Sequence, residues 1–279
     1  MLTAQTLSPP TEAPIIEIDA PSSVDAQFVE RCVAEHGFAI IRGLVARDRL
    51  NTARRAIAVG FDPRQDAPAT GTPPDAALRN FQKIVIGGGA QRGYYVPRFA
   101  RILYNPLWAE DIYKMREIFR ILARLRNRLQ GYPETYAMDQ VEDGLFTAAR
   151  LQHYPAGGGF FAAHRDAVVD RVTREAGLAK FFQLVMLLTQ KGEDFAAGGA
   201  FVDRNGARLD LEAEAQAGDV LVYDGRSVHG VDDVDPHLVP DLGSLRGRLV
   251  ALTSLYKDMN GKAAEYQNYL ARQDYADAD

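Results

Sequence analysis

The chain has 279 residues, a formal net charge of -5, and a composition that is 47% hydrophobic and 25% charged. These values are ordinary for a globular protein, and the length suffices for one large domain with a sizeable core. The acidic balance gives no electrostatic footprint for nucleic acid or an anionic membrane, so we expect neither as a partner. The single cysteine, Cys32, lies on the apolar face of a predicted helix, which favours a buried thiol in a reducing compartment.

The N-terminal segment carries no targeting signal that we recognise. Residues 1–14 are rich in Pro, Thr and Ser, and we expect disorder there. They include neither the basic nor the apolar region of a secretion signal, and no apolar run in the chain approaches the roughly 18 residues that a membrane span needs. These features predict a cytoplasmic protein. They leave its oligomeric state open.

The first half of the chain is predicted to be helical support, over about residues 15–143, for a β-rich core. Apolar periodicity and capping residues predict a helix over 23–35, a buried strand over 38–44, and helices over 47–58 and 106–130. In the last of these, Asn105 would cap the helix and Pro106 would take its first position.

From residue 144 onward, short apolar runs alternate with Gly, Asp, Pro and Asn. The predicted strands are 145–154, 181–189, 199–203, 219–223 and 248–256. This pattern is typical of a β-barrel or a double sheet, and no linker separates it from the helices. We therefore predict one domain over 15–279, with a core over about 144–257 and a C-terminal helix or tail over 258–279.

A candidate metal site begins with His164 and Asp166, which follow the glycine-rich run GGGFFAA. On an extended strand, residues two apart point to the same side, so imidazole and carboxylate converge as a partial ligand set for a transition metal. Among the other histidines, His229 stands at the end of the predicted strand in AGDVLVYDGRSVHG, beside a glycine. We take it as the third ligand.

Five elements follow one another across about residues 144–256: YPAGGGFFAAHRD, a strand, GGAFV, AGDVLVYDGRSVHGV and RGRLVALTSLY. In this order they resemble the iron(II)/2-oxoglutarate-dependent dioxygenase family. The resemblance implies an α+β protein with a mainly β core, a distorted double-stranded β-helix or jelly roll, supported by N-terminal helices. It also implies that His164, Asp166 and His229 bind Fe(II) and leave positions open for 2-oxoglutarate and O2. Because Asp166 is present, hydroxylation or another oxidation is favoured over halogenation.

The resemblance further implies a basic residue for the distal carboxylate of 2-oxoglutarate, on the strand after the second histidine. Arg246 and Arg248 both qualify. We favour Arg248, because it starts the continuous run RLVALTSLY and would be held by strand hydrogen bonds. Tyr154 is predicted to hydrogen-bond the cosubstrate, and Gln152 shares its strand face.

The substrate is not encoded in any motif. Arginines and tyrosines in the segment 79–104 suit a small anionic or amino-acid-like metabolite; the candidates are Arg79, Arg92, Tyr94, Tyr95 and Arg98. Two other classes remain open. One is a cupin-like metalloenzyme that does not use 2-oxoglutarate, and the other is a jelly roll that binds a metabolite without turnover.

Overall fold

A computed structural model describes residues 13–68, 75–87, 96–175, 177, 180–265 and 267. The helices include α1 (Ala26–His36), α2 (Arg47–Gly60), α3 (Arg116–Gln130) and α4 (Ala167–Glu175). The first half contributes five strands: β1 (Ile15–Glu17), β2 (Phe38–Arg42), β3 (Ala67–Pro68), β4 (Phe81–Gly87) and β5 (Arg98–Tyr104). The second half contributes β6 (Leu145–Pro155), β7 (Gly159–His164), β8 (Phe182–Leu187), β9 (Gly199–Arg204), β10 (Ala207–Asp210), β11 (Val220–Asp224), β12 (Val228–Val234) and β13 (Gly247–Lys257).

The eight strands of the second half form a jelly roll. One antiparallel sheet has the order β6-β13-β8-β11, and the other has the order β7-β12-β9-β10. The chain crosses between the sheets after β6, β7, β8, β10, β11 and β12. This is the winding of a double-stranded β-helix, so the predicted fold class is confirmed.

Strands from the first half of the chain extend the first sheet beyond the four strands of the jelly roll. On one side, β2 adds to β11 and β1 adds in parallel to β2. On the other side, β5 pairs with both β6 and β7, and so joins the two sheets along one edge. The strands β4 and β3 continue outward from β5. The antiparallel strands β4 and β5 lie within residues 15–143, which we predict as helical support for the β core.

Alternation along the strands of the first sheet divides the apolar core in two. Leu151, Met186 and Ala251 point outward and pack in one cluster with residues of α1, α2 and α3. Val185 and Val250 point inward and pack with residues of the second sheet. Helices cover one face of this sheet, and the second sheet covers the other. Because successive strand residues face opposite sides, both sets of side chains are buried, and the strand sequences are continuous apolar runs. Among the described residues, no helix is long and apolar enough to cross a membrane.

The longest helix begins ten residues later than its apolar pattern predicts, at Arg116 rather than at residue 106. The carboxylate of Asp111 accepts the backbone N–H of Met115 at 2.8 Å and that of Arg116 at 3.3 Å, and so caps the first turn. Lys114 has φ of 54°, in the left-handed region, which a continuous helix does not allow. Pro106 therefore starts a turn-rich connection and not the helix.

The two ends of the chain are described only in part. Residues 1–12, where we predict disorder, lie outside the described residues; Pro14 already belongs to the fold, since its carbonyl accepts the N–H of Ile40 at 2.9 Å. After β13, residues 262–265 are helical, and most of the predicted C-terminal tail lies outside the described residues.

Candidate metal centre

A tight turn between β6 and β7 brings His164 and Asp166 to the mouth of the jelly roll. Gly157 and Gly158 have φ of 95° and 100°, a region where side chains are strained, and both donate their N–H groups to the carbonyl of Val234. The strand then runs to His164, its last residue, and Asp166 follows two residues on. The two glycines thus form the tight turn that precedes the strand carrying the first candidate ligand.

The third candidate ligand lies opposite the first in the same ladder. His229, near the start of β12, is the register partner of His164, and the centroids of the two rings are 4.5 Å apart. The next residue is Gly230, and only glycine fits there, because a Cβ at that position would lie 2.5 Å from the carbonyl oxygen of Phe161. Pairing between distant strands therefore brings the two imidazoles together.

The ligand atoms of His164, Asp166 and His229 all lie within 4.8 Å of one another. Nε2 of His164 is 3.4 Å from Oδ1 of Asp166, and Nε2 of His229 is 3.5 Å from Oδ2. The side chains are 8%, 19% and 6% exposed, respectively. Two imidazoles and one carboxylate thus converge from one side on a common point.

Hydrogen bonds on the far side of each ring leave the converging nitrogens available to a metal. Nδ1 of His164 is 2.9 Å from the carbonyl oxygen of Ala162, and Nδ1 of His229 is 2.9 Å from that of Ser227. A carbonyl oxygen only accepts, so each Nδ1 carries a proton, and in the neutral ring the lone pair lies on Nε2. This is the arrangement in which histidines bind metals, with the second nitrogen fixing the ring.

The carboxylate of Asp166 is held in its charged form. Burial opposes ionisation, but hydrogen bonds and charge interactions with the protonated rings of His164 and His229 outweigh it and lower the pKa of the carboxyl well below its usual range; a bound cation would take the place of those protons. The side-chain amide of Gln183 donates a further hydrogen bond to Oδ2. The donor set of two neutral imidazoles and one carboxylate fits the facial triad of non-haem Fe(II), which leaves positions open for other ligands. No sequence motif marks Gln183, because it reaches the site from a strand that is distant in the chain.

The triad lies in a cavity between the two sheets. Its wall on the first sheet combines polar side chains of β6, β8 and β11 with apolar side chains of β8 and β13. The residues lining it are Arg150, Gln152, Tyr154, Phe161, His164, Asp166, Gln183, Val185, Ala200, Tyr223, His229, Gly230, Val231, Arg248, Val250 and Leu252.

Of the two arginines predicted as cosubstrate anchors, only Arg248 lines this cavity. It is 2% exposed, and its guanidinium lies 5.2 Å from the ring centroid of Tyr154. One edge of the guanidinium is bound by Glu212, whose Oε1 lies 2.6 Å from both Nε and Nη2. Arg246 is exposed, and its backbone carbonyl accepts the N–H of Ala156 at 3.0 Å.

The other two predicted cosubstrate residues lie side by side on β6. The hydroxyl of Tyr154 donates to Oε1 of Gln152 at 3.1 Å, and both residues are buried against the cavity. Their common face follows from their spacing of two, as their strand assignment requires.

The predicted substrate residues are spread more widely. Arg92, Tyr94 and Tyr95 lie outside the described residues. Arg79 is exposed, pairs with Asp75 at 3.4 Å, and does not line the cavity. Arg98 is closer to the triad: its guanidinium is 4.9 Å from the ring centroid of Phe161, and that ring stacks on His164 at 4.1 Å.

Comparisons with known proteins found no matching family model and no matching curated protein. Three solved structures are similar in fold. A prolyl hydroxylase from Trichoplax adhaerens, in complex with a hypoxia inducible factor oxygen degradation domain peptide fragment, is 10% identical, with 86% of this chain and 91% of that chain covered and a TM-score of 0.49. A prolyl-4-hydroxylase from Pseudomonas putida is 17% identical, with 84% and 99% covered and a TM-score of 0.48. A 2OG-Fe(II) oxygenase family oxidoreductase from Burkholderia pseudomallei is 17% identical, with 91% and 99% covered and a TM-score of 0.44.

Proposed function

We propose that the chain is a non-haem Fe(II)/2-oxoglutarate-dependent oxygenase that hydroxylates a small anionic or amino-acid-like metabolite. One observation carries the proposal. Nε2 of His164, Nε2 of His229 and the carboxylate of Asp166 converge within 4.8 Å in the cavity of a jelly roll. The order H-x-D…H along the chain and the motifs around it add the family resemblance.

The three ligands would hold iron on one side and leave its other positions facing the cavity. When bound, Fe(II) supplies activation of O2, coupled to conversion of 2-oxoglutarate into succinate and CO2, with one oxygen atom transferred to the substrate. The chain contributes fixed ring orientations through the carbonyls of Ala162 and Ser227. Gln183 holds the carboxylate of Asp166 in place. Pre-oriented ligands reduce the free-energy cost of binding the metal.

Arg248 is the residue we propose for the distal carboxylate of 2-oxoglutarate. It is buried, it lines the cavity, and a guanidinium suits a carboxylate in a semi-dry site. Glu212 occupies the edge made by Nε and Nη2, while Nη1 has no hydrogen bond to a described residue. The remaining edge would then bind the cosubstrate. Tyr154 and Gln152, next to Arg248 on the cavity wall, would supply hydrogen bonds to it.

The pairing of Arg248 with Glu212 also favours a second candidate, a cupin-like metalloenzyme that does not use 2-oxoglutarate. In that case the arginine would be a structural partner of Glu212 and the cavity would bind substrate alone. A jelly roll that binds a metabolite without turnover is the third possibility in the same fold.

Anaerobic calorimetry separates these functions. With the full chain saturated in Fe(II), the proposed function predicts 2-oxoglutarate binding that disappears in Asp166→Ala, followed by succinate release when air is admitted. Metal binding without 2-oxoglutarate binding would favour the cupin-like enzyme. Binding of 2-oxoglutarate without succinate release would favour the non-catalytic jelly roll.

A further inference from the structure

A second buried guanidinium, that of Arg150, lines the metal cavity. Arg150 lies on β6 with the same parity as Gln152 and Tyr154, and it is 7% exposed. Its register partner on β13 is Leu252, whereas Arg248 pairs with Tyr154. Four residues of strand therefore separate the two arginine positions, a distance of about 13 Å along the wall of the cavity.

The contacts of Arg150 differ from those of two other buried arginines near the cavity, Arg101 and Arg248. Its Nη1 donates to Oγ of Ser254 at 3.1 Å, and its guanidinium lies 5.5 Å from the ring centroid of Tyr256. No carboxylate of the described residues forms an ion pair with it. By contrast, Arg101 binds Asp66 at 2.8 Å and Arg248 binds Glu212 at 2.6 Å. Arg150 thus offers the cavity a guanidinium that no described carboxylate pairs with directly.

The guanidinium stays charged in spite of its burial. Burial favours the neutral form, but interactions with Tyr256, Tyr104 and the carboxylate of Asp166 outweigh it and raise the pKa of Arg150 above its ordinary value. Other cations lie nearby on the same sheet. Burial, followed by repulsion from Arg98 and Arg150, lowers the pKa of Lys83 to about 7.

A buried guanidinium without a directly paired carboxylate keeps hydrogen-bond donors free for a ligand, so a ligand that supplies a carboxylate is a physical reason to keep one in a cavity. In the proposed function, the two ends of 2-oxoglutarate are already assigned to Arg248 and to the metal. The cosubstrate therefore leaves Arg150, at the other end of the wall, without an anion. A planar guanidinium matches a carboxylate best, since two parallel hydrogen bonds can form.

We propose that Arg150 binds a carboxylate group of the substrate, which makes the substrate of this site a carboxylic acid. The proposal rests on the proposed function, because it takes 2-oxoglutarate to be held elsewhere in the cavity. It adds a substrate-binding residue that the sequence motifs do not mark.

Acetate serves as the probe, with the neutral isostere acetamide as its control. We would titrate each into the full chain saturated with Fe(II) and 2-oxoglutarate under anaerobic conditions, and follow binding by calorimetry and by the midpoint of thermal unfolding. Wild type should bind acetate and not acetamide. Arg150→Met should bind acetate about ten- to a hundredfold more weakly, the usual loss for a hydrogen bond to a charged group, and Arg150→Lys should lie between. Arg64→Met, at an exposed arginine outside the cavity, should match wild type.

Equal acetate binding in wild type and Arg150→Met, or no acetate binding in wild type, would overturn the proposal. The unfolding midpoint of ligand-free Arg150→Met adds a ligand-independent check. It should fall only slightly below that of wild type, because Arg150 has no ion pair with a described carboxylate; a large decrease, like that expected for Arg101→Met, would mean that the guanidinium is structural and would overturn the proposal as well.

Affinity for 2-oxoglutarate separates this proposal from the proposed function. Arg150→Met should keep that affinity within about threefold of wild type, while Arg248→Met loses about a hundredfold. A hundredfold loss in Arg150→Met would make Arg150 the cosubstrate anchor, which refutes the present proposal and leaves the proposed function standing. If wild type binds no 2-oxoglutarate, the proposed function fails, and the acetate titration on protein with Fe(II) alone still decides the role of Arg150.

Discussion

Oε1 of Glu212 lies 2.6 Å from both Nε and Nη2 of Arg248, inside the jelly roll, where the two side chains are 1% and 2% exposed. The same oxygen accepts the backbone N–H of Ala200 at 2.9 Å, which fixes the carboxylate on the second sheet. The ion pair therefore ties the two sheets together across the cavity. It also reduces the positive charge that a bound 2-oxoglutarate would experience.

Replacing this carboxylate tests both consequences. We expect Glu212→Gln to lower the free energy of unfolding of the ligand-free protein by about 3 kcal/mol, because Arg248 loses its buried counter-ion. We expect the same variant to bind 2-oxoglutarate more tightly, since a like charge is removed from beside the distal carboxylate. Denaturant unfolding with and without 2-oxoglutarate measures both, with the exposed Glu214→Gln as control. An unchanged stability, or weaker binding of 2-oxoglutarate, would contradict this account.

The choice between the two arginines gives a second prediction. Arg248→Met should weaken 2-oxoglutarate binding by about a hundredfold, or about 3 kcal/mol, because a buried charged partner is lost. Arg246→Met should leave it almost unchanged, since Arg246 is exposed and contributes only backbone groups to the contacts described above. Calorimetry with saturating Fe(II) provides the comparison. A chain carrying both Arg248→Met and Glu212→Gln controls for the carboxylate that the single change leaves unpaired. The assignment is wrong if the larger loss belongs to Arg246.

A third prediction concerns the metal ligands. His164→Ala, Asp166→Ala and His229→Ala should each abolish 2-oxoglutarate turnover and weaken Fe(II) binding, with the fold retained. The exposed His237→Ala should match wild type. Metal titration with circular dichroism separates loss of metal from loss of fold, and wild-type iron affinity in any one of the three would remove that residue from the ligand set.

Replacing Asp166 by glycine gives another test of the metal site. Asp166→Gly removes one ligand and opens a position at the metal, so added chloride or bromide should bind there and restore part of the Fe(II) affinity. Iron titration of this variant with and without halide measures the effect. No response to halide would mean that the space left by Asp166 is closed or filled by water.

His153 is a buried histidine outside the metal site whose pKa is strongly lowered. It is fully buried; burial, partly offset by a hydrogen bond to the carbonyl of Arg246 and reinforced by the charge of Arg101, lowers its pKa to about 4. Nδ1 lies 3.1 Å from Nη1 of Arg101 and Nε2 lies 3.0 Å from the carbonyl oxygen of Arg246, so the neutral ring accepts from the first and donates to the second.

A lowered histidine pKa means that the unfolded chain takes up the proton first as the pH falls. The neutral ring of His153 makes its full contribution to the free energy of unfolding above pH 6.5, the usual histidine pKa. This contribution is lost progressively between about pH 6.5 and 4, by about 3 kcal/mol in total. Unfolding of metal-free wild type and His153→Gln across this range measures the effect. The variant should be less stable at pH 7 and should show a shallower dependence on pH. Parallel pH dependences would refute the role given to His153.

The sequence predicts the parts of this site that depend on local spacing. The convergence of His164 and Asp166 is predicted from their spacing of two, although Asp166 lies two residues beyond the end of β7. A β-barrel or double sheet is predicted from short apolar runs separated by turn residues, and the jelly roll is what the family resemblance implies. The N-terminus of α3 was missed because the left-handed conformation of Lys114 and the capping by Asp111 are not visible in apolar periodicity. Contacts between residues far apart in the chain are not visible in the sequence either. Gln183 and Asp166 are 17 residues apart, and Glu212 and Arg248 are 36 residues apart.

Isotope labelling tests the central claim, oxygenase chemistry at the triad, most directly. The full chain with Fe(II) and 2-oxoglutarate would be exposed to 18O2 at stoichiometric protein concentration, so that a single turnover is detectable without a known substrate, and the succinate would be analysed by mass spectrometry. Oxygenase chemistry at the triad predicts succinate that carries one 18O atom and that is absent in His229→Ala. No succinate, or succinate that forms without 18O and at the same rate in His229→Ala, would contradict it.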